Sequence, residues 1–198
     1  MVRYNYEERG QYAVLLKPRT DSRDGERKIQ SRMGLSASAE YVDEFLKEIS
    51  TIWKKENTEY RYQGKKVDAV LVDEAQFLSE AEIDTLSDLV DFYNIPVICY
   101  GLRTDFRNRL FPGSRRLMEI ADVIEEVPTV CWCGKRAQCN TRYANGEIVR
   151  EGAQIMLGSN ESYVALCRKH YKEGKLWKEA GAENETSTRR NCKIMEKE

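Results

Sequence analysis

The sequence predicts an α/β protein with a parallel sheet, followed by a smaller unit of a different kind. In the first two thirds of the chain, short apolar runs alternate with amphipathic segments, the pattern of buried parallel strands joined by helices. From Thr129 onward, closely spaced cysteines and turn residues replace this alternation. The remainder, rich in Glu, Lys and Asn, is typical of a mobile tail. We therefore expect domains over residues 1–128 and 129–172, and a tail over 173–198.

Four apolar runs predict the strands of the sheet. Residues 12–16 (YAVLL), 67–72 (VDAVLV) and 95–100 (IPVICY) are short and continuous, as fully buried strands are. Residues 121–127 predict a fourth strand. Because each run is too short for a helix, we expect these segments to build one sheet.

Three segments predict helices. Residues 42–53 place their large apolar side chains on one helical face. Residues 79–82 (SEAE) form a capping box ahead of a second amphipathic segment. Residues 114–121 predict a shorter helix. Between the first two strands, the polar stretch 18–34 is long enough to indicate a functional or a disordered loop.

The charge balance argues against two classes of partner. The chain has 32 Lys and Arg and 33 Asp and Glu, a formal net charge of −1. Such a chain has no overall electrostatic attraction to nucleic acid or to an anionic membrane. No apolar run approaches the ~18 residues of a membrane span, and the first residues do not begin a signal peptide. We therefore expect a cytoplasmic protein that binds neither nucleic acid nor membrane.

Two adjacent acids follow the second strand. Asp73 and Glu74 come directly after the run 67–72, so both are delivered to the carboxyl edge of the sheet, where α/β proteins bind ligands. In phosphoryl-transfer enzymes, an acid at this place supports Mg²⁺ and a neighbouring acid can take a proton from the attacking group. The alternative is that Asp73 starts a turn and Glu74 is merely solvated.

The second unit contains two close pairs of metal-ligating side chains: Cys131, Cys133, Cys167 and His170. Zinc prefers four nitrogen or sulfur ligands in a tetrahedron, commonly supplied as two such pairs. The pattern leaves no open position, so it indicates a structural Zn²⁺ rather than a catalytic one. Unrelated buried cysteines are the alternative. Cys99 falls within a predicted strand, and Cys139 and Cys192 have no assigned role.

Arginines at the ends of strands form a third group of candidates. Asp21 and Arg23 lie in the polar loop, and Arg103 follows the third strand directly. Arginines at sheet edges can hold phosphoryl oxygens, although many arginines in such loops are simply solvated.

Taken together, four motifs resemble one family. They are DEAQF (residues 73–77), YGLRTDF-x4-FPGS (100–114), the C-x-C pair, and G-x-N-E-x-Y-x3-C-x2-H (158–170). This combination resembles the zinc-containing cellular thymidine kinases, the tetrameric type II family, and most closely its bacterial members. The resemblance covers residues 5–172 and is highly specific.

The resemblance implies a fold and an activity. The expected fold is a RecA-like parallel sheet with flanking helices plus a small zinc-ribbon and lasso domain. The expected reaction is ATP-dependent phosphorylation of the 5′-hydroxyl of thymidine with Mg²⁺, in a homotetramer that carries structural Zn²⁺.

The family's functional residues can be carried over by motif. Glu74 matches the general base and Asp73 the acid that supports Mg²⁺. The residues implied to bind the nucleotide cofactor are Asp73, Glu74, Ala75, Gln76, Asp21, Arg23 and Arg142. The residues implied to bind the nucleoside are Phe77, Phe106, Phe111 and Tyr163, of which Tyr163 lies in the lasso. Each aromatic side chain could instead be an ordinary core residue.

The sequence departs from the family in one respect. The family begins with a strand and a phosphate loop of the form G-x-x-x-x-G-K-[ST], and no such motif occurs in residues 1–198. The chain resembles a family member that starts after this loop, so we expect this stretch alone not to transfer phosphate from ATP. The rival interpretation is a non-catalytic homologue that binds a nucleoside or a partner. A zinc-ribbon nucleic-acid binder fits the cysteines but not the neutral charge.

Overall fold

The computed structural model describes residues 2–21, 25–30, 34–52, 60–154 and 162–177. The chain forms two compact units, one from Met1–Val127 with Arg150–Gly158 and the other from Pro128–Val149 with Ser159–Glu198. Arg23, lasso residues 159–161 and tail residues 178–198 lie outside the described residues.

The first unit is built on a parallel sheet. Its strands are β1 (Ala13–Lys17), β2 (Lys28–Gln30), β3 (Ser36–Ser38), β4 (Glu40–Tyr41), β5 (Arg61–Tyr62), β6 (Lys65–Lys66), β7 (Ala69–Val72) and β8 (Val97–Cys99). Four of them form one sheet in the order β4-β1-β7-β8, with every neighbouring pair parallel. The predicted parallel α/β sheet is therefore confirmed. The pairs β2–β3 and β5–β6 are small antiparallel ladders, and of the first pair only β2 lies within the predicted loop 18–34.

Helices cover both faces of this sheet. They are α1 (Val2–Glu7), α2 (Val42–Ile52), a 3₁₀ turn (Ala75–Phe77), α3 (Glu80–Tyr93) and α4 (Pro112–Ile120). On one face, Val14 and Val70 pack in a core with Phe45 of α2 and Leu86 of α3. On the other, smaller residues of β1 and β7 lie against Val2 of α1. All four residues of β7 are buried, because a strand covered on both faces has no solvated side.

The start of α3 is the predicted capping box. The backbone N–H of Glu82 donates to Ser79 Oγ at 3.3 Å, and the backbone N–H of Ser79 donates to Glu82 Oε2 at 2.8 Å. Both bonds satisfy amides that would otherwise lack partners at the first turn. Helix α4 begins two residues before the predicted 114–121 segment because Pro112 occupies its first turn.

The predicted strand over residues 121–127 is wrong. After Ile120 the chain runs without strand pairing to Thr129, and none of the described residues forms a ladder with it. Val123, Ile124 and Val127 are 74, 62 and 82% exposed. An apolar run becomes a strand only where a neighbouring backbone supplies its hydrogen bonds, and composition alone does not reveal that neighbour.

The second unit is a set of antiparallel ribbons. It contains β9 (Thr129–Val130), β10 (Arg136–Ala137), β11 (Cys139–Ala144), β12 (Glu147–Ile148), β13 (Ser162–Leu166) and α5 (Arg168–Glu173). Strand β11 lies between β12 and β13, and β9 pairs with β10.

No helix among the described residues has the length and apolarity to cross a membrane.

Candidate active site and metal centre

Asp73 and Glu74 stand where β7 ends. The backbone N–H of Asp73 still donates to Leu16 of β1 at 2.9 Å, so the sheet fixes its position. The chain then turns at Glu74, which has φ 51° and ψ 36°. A left-handed backbone at a non-glycine residue costs of order 1 kcal/mol or more, and such residues cluster at functional sites. Both acids are half-buried, and Glu74 donates its N–H to Asp73 Oδ1 at 3.0 Å.

The turn after Glu74 is fastened to the neighbouring strand and to α4. Ala75 donates its N–H to the carbonyl of Tyr100 at 2.9 Å, just beyond β8. A Cβ at Gly113 would lie 2.7 Å from the carbonyl oxygens of both Ala75 and Leu78, so only glycine lets α4 approach this closely. The carboxyl edge of the sheet is thus held by contacts from residues distant in sequence.

Gln76 lies in the 3₁₀ turn that follows the two acids, with 1% of its surface exposed. Its side-chain amide donates to the Glu74 carboxylate and accepts from the backbone N–H of Leu102 at 3.0 Å. The side chain of this predicted cofactor-binding residue is therefore occupied within the protein.

Two of the predicted pocket aromatics meet directly. The rings of Phe77 and Phe111 have centroids 5.7 Å apart and planes at 85°, an edge-to-face contact. Phe111 is buried and Phe77 half-buried. Phe106 is also buried, at 1% exposure, in the loop that follows β8.

Asp105 organises the loop that carries Phe106, and the sequence reasoning missed it. One carboxylate oxygen accepts the backbone N–H groups of Arg107 and Arg109 at 2.9 Å each. The other accepts from the Arg107 guanidinium at 2.9 Å and from the Gln154 amide at 3.1 Å. Burial raises the pKa of Asp105, but these hydrogen bonds outweigh burial and lower the pKa below its usual value. An aspartate at the first position of a turn was the only sequence indication of this role.

Asp21, one of the two candidates in the polar loop, is buried. Its ion-pair partner is Lys17, a residue that the sequence did not indicate. The Lys17 ammonium at the end of β1 lies 3.5 Å from Asp21 Oδ2 and is itself fully buried. It also donates to the carbonyls of Gly25 at 3.2 Å and Lys28 at 2.9 Å. One lysine thus anchors three points of the loop. A lone lysine at the end of an apolar strand gives no sequence indication of such a role.

In the second unit, Arg142 and Tyr163 are cross-strand neighbours on β11 and β13. Arg142 is fully buried, and its Nε donates to the Tyr163 hydroxyl at 2.8 Å. Tyr163 is 49% exposed. These two residues, assigned separately from the sequence, therefore form one pair.

The four predicted metal ligands converge in the second unit. The ligand atoms of Cys131, Cys133, Cys167 and His170 all lie within 4.8 Å of one another. Cys133 Sγ is 3.9 Å from Cys167 Sγ, and Cys131 Sγ is 3.4 Å from His170 Nδ1. A tetrahedron with metal–sulfur distances of about 2.3 Å has sulfur–sulfur edges of about 3.8 Å. The cluster therefore suits a metal ion of zinc-like size and geometry.

The surroundings of the cluster favour metal binding as well. Burial raises the pKa of the Cys131 thiol, but hydrogen bonds from the backbone N–H groups of Cys133 and Cys167 and from His170 outweigh it and lower the pKa to about 6. The thiolate is the form that ligates metals. The indole of Trp132 stacks on the His170 ring, with centroids 4.0 Å apart and planes at 6°, which fixes the imidazole. Cys139 is buried but is not a member of the cluster.

A parallel α/β sheet with adjacent acids at its carboxyl edge is one arrangement that phosphoryl-transferring enzymes use, although other α/β proteins share it. Comparison with known proteins identifies the family of enzymes to which the chain belongs. The thymidine kinase family matches residues 1–171 of the chain.

Individual relatives agree with the family match. The chain is 46% identical over 171 residues to a thymidine kinase of Haemophilus influenzae, which covers 86% of each chain. It is 44% identical over 176 residues to a thymidine kinase of Legionella pneumophila, covering 88% of this chain and 82% of the relative. A thymidine kinase of Idiomarina loihiensis is 43% identical over 173 residues, 87% of this chain and 86% of the relative. The chain belongs to the thymidine kinase family, and the non-catalytic alternative is not favoured.

Proposed function

We propose that this protein transfers the γ-phosphoryl group of ATP to the 5′-hydroxyl of thymidine. The observation that carries the proposal is the pair Asp73–Glu74 at the carboxyl edge of the sheet, in a chain that matches the thymidine kinase family over residues 1–171. Two half-buried carboxylates at that edge suit a reaction that needs both a metal-supporting acid and a base.

Glu74 is the proposed general base. Its left-handed backbone lifts the residue out of the strand, and its carboxylate is oriented by the Gln76 amide. In this role Glu74 takes the proton from the 5′-hydroxyl as that oxygen attacks phosphorus. Asp73, held between β1 and the Glu74 amide, suits the support of Mg²⁺, which when bound with ATP neutralises charge on the transferred group.

The remaining site residues are proposed on the resemblance. Asp21, Arg23 and Arg142 are assigned to the phosphates, with Ala75 and the backbone of Gln76 contributing to the nucleotide side of the site. Phe77, Phe106 and Phe111 are assigned to the nucleoside, and Tyr163 to its deoxyribose. The edge-to-face contact of Phe77 and Phe111 supports a pre-formed apolar wall for a flat base.

The cluster of three cysteines and His170 is proposed to hold one structural Zn²⁺. Its distances match a closed tetrahedron, which leaves no position for a reacting water. We also propose that the kinase domain spans residues 1–128, that the zinc-ribbon and lasso domain spans 129–172, and that the protein acts in the cytoplasm as a homotetramer.

The test is formation of thymidine 5′-monophosphate from thymidine, ATP and Mg²⁺. Since residues 1–198 contain no G-x-x-x-x-G-K-[ST] motif, we would assay them beside a form with a strand and phosphate loop of the family type fused ahead of α1. We expect the fused form to phosphorylate thymidine, and no transfer by that form would overturn the proposed function. Equal activity of both would mean that no such loop is needed.

Deoxycytidine is the control substrate. Its exchanged donor and acceptor would leave buried groups in the pocket unpaired, so we expect kcat/KM at least ~10-fold below that for thymidine. Equal use of both nucleosides would remove thymidine as the specific substrate and leave only the kinase class.

A further inference from the structure

Gln76 occupies a position that the transfer reaction alone does not explain. It is the residue of the 3₁₀ turn two positions after Glu74, and 1% of its surface is exposed. Burying an amide is unfavourable unless both of its ends are hydrogen-bonded, and here both ends are. The side chain is therefore placed for its internal contacts.

The backbone decides which end of the amide faces Glu74. The N–H of Leu102 can only donate, so it must meet the Gln76 oxygen, at 3.0 Å. The Gln76 nitrogen is then directed at Glu74 Oε2 and donates to it. The amide cannot rotate by half a turn without losing both bonds, so the carboxylate always meets a donor.

Both backbone polar groups of Leu102 are hydrogen-bonded. Its carbonyl accepts from Ser114 Oγ of α4 at 2.6 Å, while its N–H donates to Gln76. A Cβ at the preceding residue, Gly101, would lie 2.5 Å from Gln76 Oε1, so a larger residue there would displace the Gln76 amide. A continuous hydrogen-bonded path thus runs from α4 through Leu102 and Gln76 to Glu74.

We propose that Gln76 is a positioning residue that orients the Glu74 carboxylate and couples it to the loop carrying Phe106. This inference rests on the proposed function, because it assigns Gln76 to the base of that reaction rather than to direct contact with ATP. The loop begins at Leu102, whose N–H donates to the Gln76 side chain. A displacement of this loop would therefore move the Gln76 amide and, with it, the Glu74 carboxylate.

The test is a double-mutant cycle that exchanges the two side chains. Gln76→Glu keeps an acceptor for the Leu102 N–H but presents an oxygen, instead of an N–H, to Glu74. In residues 1–198 we expect Tm to fall by about 3 °C or more. Adding Glu74→Gln places a donor at position 74 opposite the carboxylate acceptor at position 76, so the hydrogen bond forms in the opposite direction. The doubly substituted protein should therefore recover most of the lost Tm. Additive changes in Tm would overturn the link between the two side chains.

Kinetics then separate positioning from a merely structural role. In the form that transfers phosphate, Gln76→Glu should lower kcat by about 10-fold with the Kd for thymidine within about twofold of wild type. In the Glu74→Gln background, it should lower kcat no further. Gly101→Ala, which displaces the Gln76 amide, should reproduce the loss. Gln138→Glu, an exposed site in the second unit whose acceptor contact with Arg168 is kept, is the control and should change nothing.

The outcomes distinguish this proposal from the proposed function. If the fused form with native Glu74 and Gln76 makes no thymidine 5′-monophosphate, the proposed function fails, and the thermal cycle still decides whether Gln76 holds Glu74. If that form is active and Gln76→Glu leaves kcat unchanged, or raises the KM for ATP alone, Gln76 does not act through Glu74 and the positioning role is overturned.

Discussion

The metal cluster and the acid edge of the sheet are constructed in opposite ways. The cluster draws its four ligands from two short segments of one unit, and each segment supplies two ligands a few residues apart. The acid edge has its two carboxylates adjacent in sequence, but the Glu74 carboxylate contacts Gln76, which is bonded to Leu102, and the turn that follows packs against Gly113. Residue spacing is therefore sufficient to recognise the first site, whereas the second is completed only by long-range contacts.

This difference has energetic consequences. With the proposed Zn²⁺ in the cluster, loss of one ligand should unfold the ribbons, because metal binding and folding of such small units are coupled. Loss of a group at the acid edge leaves the sheet intact, since the core on both of its faces does not depend on the carboxylates. We therefore expect damage to the cluster to appear as lost structure, and damage to the edge as lost chemistry.

The largest expected effect is that of Cys131→Ser. Structural zinc contributes roughly 10 kcal/mol of apparent free energy in isolated zinc fingers, so the second unit should lose its metal and its ordered ribbons. Elemental analysis should find one zinc per wild-type chain and none in the variant, with the change in fold followed by hydrogen exchange. Cys139→Ser alters a buried cysteine outside the cluster and should keep its zinc. Equal zinc in both variants would mean that Cys131 is not a ligand.

Acid should release the metal over a defined range. The pKa of Cys131 is lowered from its ordinary value of 9.0 to about 6. A group with a lowered pKa contributes stability that is complete above its unfolded pKa and is lost as the pH falls through its folded pKa. This pKa is that of the metal-free thiol, and bound zinc keeps the thiolate deprotonated to lower pH, so zinc retention, followed with a colorimetric chelator, should hold at pH 7 and be lost only below about pH 6. Release centred near pH 8 would contradict the thiolate assignment.

A smaller effect is expected at the aromatic wall. Phe77→Leu removes the edge-to-face contact with Phe111 while keeping most of the apolar volume. The Kd for thymidine, measured by calorimetry, should rise roughly 2- to 10-fold, the range that such ring contacts contribute. Phe92→Leu makes the same change at a residue of α3 that is 77% exposed. If the two variants bind thymidine equally well, Phe77 is a core residue rather than part of the pocket.

The smallest effect concerns the start of α3. Ser79→Ala removes the acceptor for the Glu82 amide and should lower the free energy of unfolding by about 1 kcal/mol, with turnover unchanged. Denaturant unfolding measures this difference. Ser87→Ala, in the interior of the same helix, is the matched control and should cost less. A loss of turnover in Ser79→Ala would mean that the edge of the sheet depends on α3 more than its contacts indicate.

Periodicity and spacing were enough to predict several of the regular elements and the convergence of the four Cys and His side chains. Strand β7, helix α2 and the capping box at Ser79 follow from local patterns that the core only reinforces. Two close Cys/His pairs have few structural uses other than metal binding, so their convergence could be expected.

Long-range contacts account for what the sequence did not predict. The run 121–127 has the composition of a strand but no described partner to pair with. The burial of Lys17 and the four donors around Asp105 depend on chain paths that no periodicity encodes. The left-handed turn at Glu74 is equally hidden, because glutamate is not a residue that favours positive φ.

We propose that Glu74 acts in the chemical step, that Asp73 supports Mg²⁺, and that Gln76 holds the Glu74 carboxylate. The direct measurement is kcat and thymidine Kd on the same preparation of Glu74→Gln, in the form that carries a phosphate loop. We predict that kcat falls by at least ~10²-fold while Kd stays within about twofold. Glu80→Gln, an exposed acid at the start of α3, should match wild type in both. Wild-type turnover by Glu74→Gln would contradict the assignment of Glu74 as the base.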